Sequence, residues 1–168
     1  MDPLKLPAII KEAMTKAWRD TIQEDGGRIA NLYKRAVQQR IYLQLQPKNA
    51  PWPPLNEDYA EMKRRKRLDP RMLIATGEYV SKIYAKKVDG ETWQVTVPIG
   101  IHGPSKLPYA AIRAIHEFGA GRVPPRPHWQ PTTTEFENNK QQYGADIQQN
   151  VNRKARKIVQ ALIQRGRV

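Results

Sequence analysis

The chain has 168 residues, enough for about one domain, with 39% hydrophobic residues and a mean hydropathy of −0.73. It carries 29 basic and 16 acidic residues, a net charge of +13, and no cysteine. This excludes a disulfide framework and a thiolate metal site and points to an anionic partner or acidic protein neighbours. No apolar run approaches the ~20 residues of a membrane span. Met1-Asp2-Pro3-Leu4-Lys5 lacks a signal-peptide pattern. The expectation is a soluble protein, made and used in the cytoplasm, with no membrane partner.

Residues 4–24 read as a helix, with Ile9, Ala13, Met14, Ala17, Trp18 and Ile22 on one stripe. Asp25-Gly26-Gly27 interrupts the pattern. A second helix is expected from Arg28 to Leu45, with Ile29, Leu32, Tyr33, Ala36, Val37, Ile41 and Leu45 on its face. One long helix kinked at the glycines is the alternative. Pro47 to Pro54 is neither helix nor central strand, and Asn49 to Leu55 reads as a stiff, polyproline-like segment. Its Trp52 either closes the edge of the core or anchors a neighbouring subunit.

Glu57 to Leu68 reads as a short charged helix. Its run Lys63-Arg64-Arg65-Lys66-Arg67 is either a solvated face or a contact for phosphate or acidic protein. Met72 to Gly77 leads into an expected hairpin. Ser81, Ile83 and Ala85 alternate in one arm, Trp93, Val95, Val97 and Ile99 in the other, with Asp89-Gly90 as the turn signal. A short apolar helix (Tyr109, Ala110, Ile112, Ile115) runs into Phe118-Gly119, where glycine can stop it. Phe118 is expected in the core, so that Phe118→Ala would unfold the domain.

Arg126 stands in a proline clamp, Pro124-Pro125-Arg126-Pro127, followed by His128 and Trp129. Fixed backbone angles would present its guanidinium with little entropy to lose. Its partner is either Glu117 in a local salt bridge or a carboxylate of the next subunit. On the second reading Arg126→Ala impairs assembly and leaves the subunit folded. The last expected helix runs from about Thr132 to Arg165, with Thr132, Thr133 or Thr134 as cap and Glu135 and Glu137 in the first turns. Phe136, Tyr143, Ile147, Val151, Ile158 and Leu162 form a narrow seam for a partner or the N-terminal helix. Its end is basic: Arg153, Lys154, Arg156, Lys157, Arg165 and Arg167.

Catalytic motifs are missing. His116-Glu117 lacks the second histidine of a zinc-protease helix, because position 120 is alanine. His102, His116 and His128 have no metal-ligand spacing. Ser81 and Ser105 do not sit in a nucleophile elbow, and no phosphate-binding or dinucleotide loop is present. The expectation is no enzyme, no cofactor and no metal.

The order of features carries a resemblance. Trp52-Pro53-Pro54-Leu55 is followed by the Lys63 to Lys66 stretch, then by Leu73-Ile74-Ala75-Thr76-Gly77 and the hairpin. Next come Tyr109-Ala110, Ile115-His116-Glu117-Phe118-Gly119 and Pro125-Arg126-Pro127-His128-Trp129. This succession resembles the tail-completion, or virion morphogenesis, proteins of tailed bacteriophages over about Trp52 to Pro131. The chain departs from their pattern in its longer N-terminal region with Gly26-Gly27, and in His128, which separates Arg126-Pro127 from the aromatic Trp129.

The resemblance implies an α+β subunit, a small antiparallel sheet flanked by long N- and C-terminal helices. It implies one domain: a helical arm at 1–46, a core with the hairpin at 47–131 and a long basic helix at 132–168. It further implies a structural virion protein that forms a ring at the head-tail junction, six-fold favoured and twelve-fold possible. Head-connector and tail proteins would flank the ring and DNA would pass through its lumen. Trp52, Pro54, Leu55, Phe118, Arg126, Pro127 and Trp129 are the candidate assembly residues. Lys63 to Arg67 and Arg153, Lys154, Arg156 and Lys157 are the candidate contacts to DNA or acidic partners. A basic nucleic-acid-binding protein outside any ring is the alternative.

Overall fold

A computed structural model describes residues 6–46 and 50–164. Leu4, Pro47 and Asn49, and the basic Arg165 and Arg167, lie outside the described residues. The elements are α1 (Leu6–Leu43), α2 (Glu57–Arg65), α3 (Glu78–Ser81), β1 (Tyr84–Lys87), β2 (Trp93–Thr96), α4 (Tyr109–Phe118), α5 (Gln130–Asn138) and α6 (Lys140–Gln164). The protein is α+β: β1 and β2 form a two-stranded antiparallel sheet, and long helices stand at both ends of the chain. Contacts divide it into two compact units. One holds the chain up to Ile29, Lys87–Trp93 and the chain from Asn138. The other holds Ala30–Lys86 and Gln94–Glu137.

In the first unit, α1 and α6 run antiparallel. Ala17 packs on Val151 and Ala155, with Ile147 and Ile158 beside them. Asn150 donates to Asp25 at 2.8 Å, and Lys154 pairs with Glu24 at 2.8 Å. The buried row Ala13, Ala17, Thr21, Asp25 repeats every fourth residue of α1, so small side chains let the two helices approach closely. The narrow α6 seam therefore meets the N-terminal helix, one of the two partners its spacing allowed.

Gly26 and Gly27 do not interrupt α1, which continues as a single 38-residue helix, about 57 Å at 1.5 Å per residue. Trp93, at the start of β2, explains why glycine stands there. A Cβ on Gly26 would meet the indole at 2.7 Å, and one on Gly27 at 3.0 Å. The ring lies against bare helix backbone. Gly26→Ala is therefore expected to destabilise by about 1–3 kcal/mol through overpacking, against the ~1 kcal/mol that alanine gains in an open helix. In a Trp93→Ala background the same change should turn stabilising; denaturant melts of the four variants check the reversal.

The second unit holds the main core. Val37, Ile41, Trp52, Met72, Ile74, Tyr79, Val80, Ile83, Val97, Tyr109, Ile112 and Trp129 form one buried cluster. The strands are shorter than alternation predicts. Gly77, at φ 72°, turns the chain into α3, which buries Tyr79 and Val80 and takes Ser81 out of the hairpin arm. The Asp89-Gly90 signal marks a five-residue loop rather than a two-residue turn. Asp89 Oδ1 accepts from the Glu91 and Thr92 N–H groups, and Val88 N–H bonds Thr92 O at 2.9 Å. The chain after α1 is held by Gln44, whose side-chain amide donates to Met72 O at 3.1 Å and accepts from Met72 N–H at 2.7 Å, as a neighbouring strand would.

Candidate functional site

The proline clamp builds a buried polar centre in the second unit. Arg126 is 2% exposed. Its Nε donates to Pro53 O at 3.2 Å, Nη2 to Pro54 O at 2.9 Å and Nη1 to Pro124 O at 3.2 Å. Its own N–H bonds His116 O at 2.6 Å. Proline carbonyls are suited to this role: those residues have no N–H to enter a ladder, so their carbonyls stay free to accept. The guanidinium therefore engages neither Glu117 nor a carboxylate on the surface. It ties the Trp52 segment to the 124–127 segment, and burial draws its pKa down.

Glu117 does something the sequence pattern does not signal. Its carboxylate, buried at the end of α4, accepts from the backbone N–H groups of His128 (3.1 Å), Trp129 (3.1 Å) and Gln130 (2.7 Å). These are the donors at the start of α5, so α5 takes its N-terminal cap from another helix, with a negative charge at the positive end of the dipole. The expected threonine cap is thereby corrected. Thr132, Thr133 and Thr134 lie inside α5, and their hydroxyls donate to the carbonyls of His128, Trp129 and Gln130. Nor does one helix run from 132 to 165: α5 ends at Asn138 and α6 starts at Lys140. Glu135 pairs with Arg40, which also donates to Gln46 O at 3.1 Å and lies 3.4 Å from Thr132 Oγ1.

His128 sits at the middle of this centre, fully buried. Arg126 O, 3.2 Å from Nδ1, can only accept, so the proton stands on Nδ1 and Nε2 is the acceptor. Tyr79 then donates its hydroxyl to Nε2 at 3.0 Å and accepts from Trp129 Nε1 at 3.4 Å. Arg113 stacks 4.3 Å from the Trp129 ring. Burial pushes the Tyr79 hydroxyl up to about 12.

Burial likewise lowers both His128 and His116 to about 4. Glu117 opposes the shift at His128, whereas the neighbouring His128 and Arg126 reinforce it at His116. A depressed histidine pKa means that the unfolded chain takes up the proton first. Stability is thus full above pH ~6.5 and falls as pH drops toward about 4, by up to ~1.4 kcal/mol for each pH unit and each histidine. Urea melts from pH 7 to 4 should show this slope, and His116→Asn should make it shallower.

A second polar group ties the 101–108 loop. Ser105 Oγ lies 2.8 Å from His102 Nδ1, and Ser105 N–H donates to the same atom at 3.2 Å. Glu78 accepts from Gly103 N–H at 3.2 Å and from the Tyr109 hydroxyl, and the Tyr109 hydroxyl bond holds its carboxyl below the usual range. Serine, histidine and carboxylate stand together, but Glu78 is 4.0 Å from His102 Nε2, beyond hydrogen-bond reach. The serine comes from the same tight turn as the histidine. This arrangement fixes a loop.

The remaining expected site residues divide by burial. Trp52 and Trp129 belong to the core, with Leu55 packed against it. Pro127 is half-buried and Pro54 exposed. Phe118, expected in the core, is 76% exposed, because α4 turns Tyr109 and Ile112 inward and Phe118 stands at its last position before Gly119. Lys63 leaves the basic run: it is buried and donates to Asp69 O at 3.0 Å and Arg71 O at 2.6 Å. Arg64, Arg65, Lys66 and Arg67 are exposed, as are Arg153, Arg156 and Lys157. Arg65 pairs with Glu61, and Lys154 with Glu24. Among the described residues no cluster of histidine, cysteine and carboxylate side chains is arranged to hold a metal, and no helix is long and apolar enough to cross a membrane. No family model matches the chain, and neither curated proteins nor solved structures give a match.

Proposed function

We propose that this chain is a structural virion protein of a tailed phage. It forms a ring at the head-tail junction that joins tail to head and lets DNA pass, and it acts by assembly rather than catalysis. The observation that carries the reading is the convergence of the motif segments. Trp52, Pro53 and Pro54, then His116 and Glu117, then Arg126, His128 and Trp129 lie as far as 77 positions apart in sequence. Yet they make one bonded centre. Motifs that hold one another in place behave as the signature of a fold, which favours reading their order as family likeness. The exposed basic side chains of α2 and α6 and the surplus of +13 suit either DNA in a lumen or acidic faces of neighbouring rings. The ring is six-fold in this reading, with twelve-fold the alternative, and lies between head-connector and tail proteins in the virion after assembly in the host cytoplasm.

The test is imaging of purified virions, with this chain located by fitted density or antibody label. A closed ring of density at the head-tail junction supports the proposal. The charge favours one rival, a nucleic-acid-binding protein outside any ring. Absence from virions, together with DNA binding by the free protein that weakens steeply with salt, would replace the first reading by the second.

A further inference from the structure

The 99–107 loop of the second unit is apolar, exposed and rigidly held. Ile99 is fully exposed, Ile101 65% and Leu107 40% exposed. Two-residue spacing in extended chain puts Ile99 and Ile101 on one side. The loop is nevertheless pinned. Tyr109 N–H bonds Gly100 O at 3.1 Å, His102 N–H bonds Leu107 O at 2.8 Å, and Gly103 N–H bonds Glu78. A protein gains nothing in isolation by holding bare isoleucines in a fixed geometry, whereas an interface gains from it, because less freedom is lost on contact.

The same unit carries a receptacle. An open groove of about 240 Å³ is lined by Trp52, Pro53, Pro54, Leu55, Pro70 and Met72, with Gln44 and Arg71 at its edge. It is smaller than the roughly 300–1,000 Å³ of a small-molecule site and suits one or two aliphatic side chains. Its walls are stiff: four prolines and indole line or flank it, and Arg126 clamps the Pro53 and Pro54 carbonyls from behind.

We propose that the Ile99–Leu107 loop of one copy seats Ile99 in the Trp52–Met72 groove of the next copy. This rests on the ring reading above and assigns its subunit contact. Knob and receptacle are different patches on one chain, so the contact is head-to-tail and closes only as a ring. Area also argues for a ring over a pair. Three partly or wholly exposed side chains make a patch on the order of 300 Å², well short of the roughly 800 Å² per partner of a stable dimer. In a ring each copy gives one loop and receives another, so every subunit is held twice. Assembly is accordingly weak at low concentration and cooperative at high concentration.

The absence of cysteine makes the test direct. The full-length Ile99→Cys/Pro54→Cys double variant, oxidised at high concentration, is expected to give a ladder of dimers, trimers and larger species on a non-reducing gel. A mixture of the two single variants is expected to stop at dimers. Full-length Ile99→Asp, checked for native circular dichroism, is expected to weaken self-association at least tenfold in sedimentation experiments. Cross-links only within one chain, or none, overturn the proposal. So does Ile99→Asp that assembles as the parent does; rings would then persist and the ring reading would stand with a different contact. A parent chain that never self-associates and is absent from the head-tail junction removes both.

Discussion

Replacing Glu117 by alanine is expected to destabilise the protein by about 3–5 kcal/mol, the upper range for a single change. The side chain touches no ligand. Its effect comes from the three backbone donors it satisfies, at His128, Trp129 and Gln130. Those groups open α5 in a buried setting, and each buried donor left without an acceptor costs about 1–3 kcal/mol. Glu117→Gln should fall about midway, because one carbonyl oxygen remains while the other acceptor becomes a donor facing donors. Urea titrations of both variants measure this. Equal stability of Glu117→Ala and the parent would mean that α5 is capped by something else.

The second large effect belongs to Arg126. Arg126→Ala is expected to cost about 3–5 kcal/mol, through a cavity and the loss of three carbonyl partners at once. Arg126→Lys should recover only part, since an ammonium cannot span acceptors on Pro53, Pro54 and Pro124 with the fixed geometry of a guanidinium. This reverses the expectation drawn from sequence, in which the alanine variant keeps its fold and loses only assembly. Phe118→Ala reverses in the opposite sense. With its ring exposed, the change should stay within about 0.5 kcal/mol of the parent, and a large loss would show Phe118 to be packed. Thermal melts of the Arg126 and Phe118 variants side by side check the exchange of roles.

Both corrections have one physical origin. A sequence shows polarity and local spacing, and on those grounds arginine between prolines looks presented to solvent, while phenylalanine at the end of an apolar helix looks buried. Burial is decided by what arrives from elsewhere in the chain. Arg126 is enclosed because Pro53 and Pro54, more than 70 positions earlier, bring carbonyls to it. Lys63 follows the same rule within one loop: it lies in a basic run, yet the chain at 69–71 folds back over its ammonium.

The sequence by itself determined the local elements and the class. Apolar side chains at three- and four-residue steps marked α1, α4 and α6, because a helix repeats every 3.6 residues regardless of its surroundings. Gly119 ended α4 as expected, at φ 79°. The sheet's place between β1 and β2 was legible from alternation and the Asp89-Gly90 signal, and with it the α+β class. Only the tertiary structure decided that Gly26-Gly27 is a seat for Trp93 rather than a break, since helix propensity alone cannot count a ring that packs on bare backbone. Only it could join Glu117 to the start of α5 and Tyr79 to His128. Such pairings depend on distance in space, which local composition does not encode, and they hold the centre on which the candidate site rests.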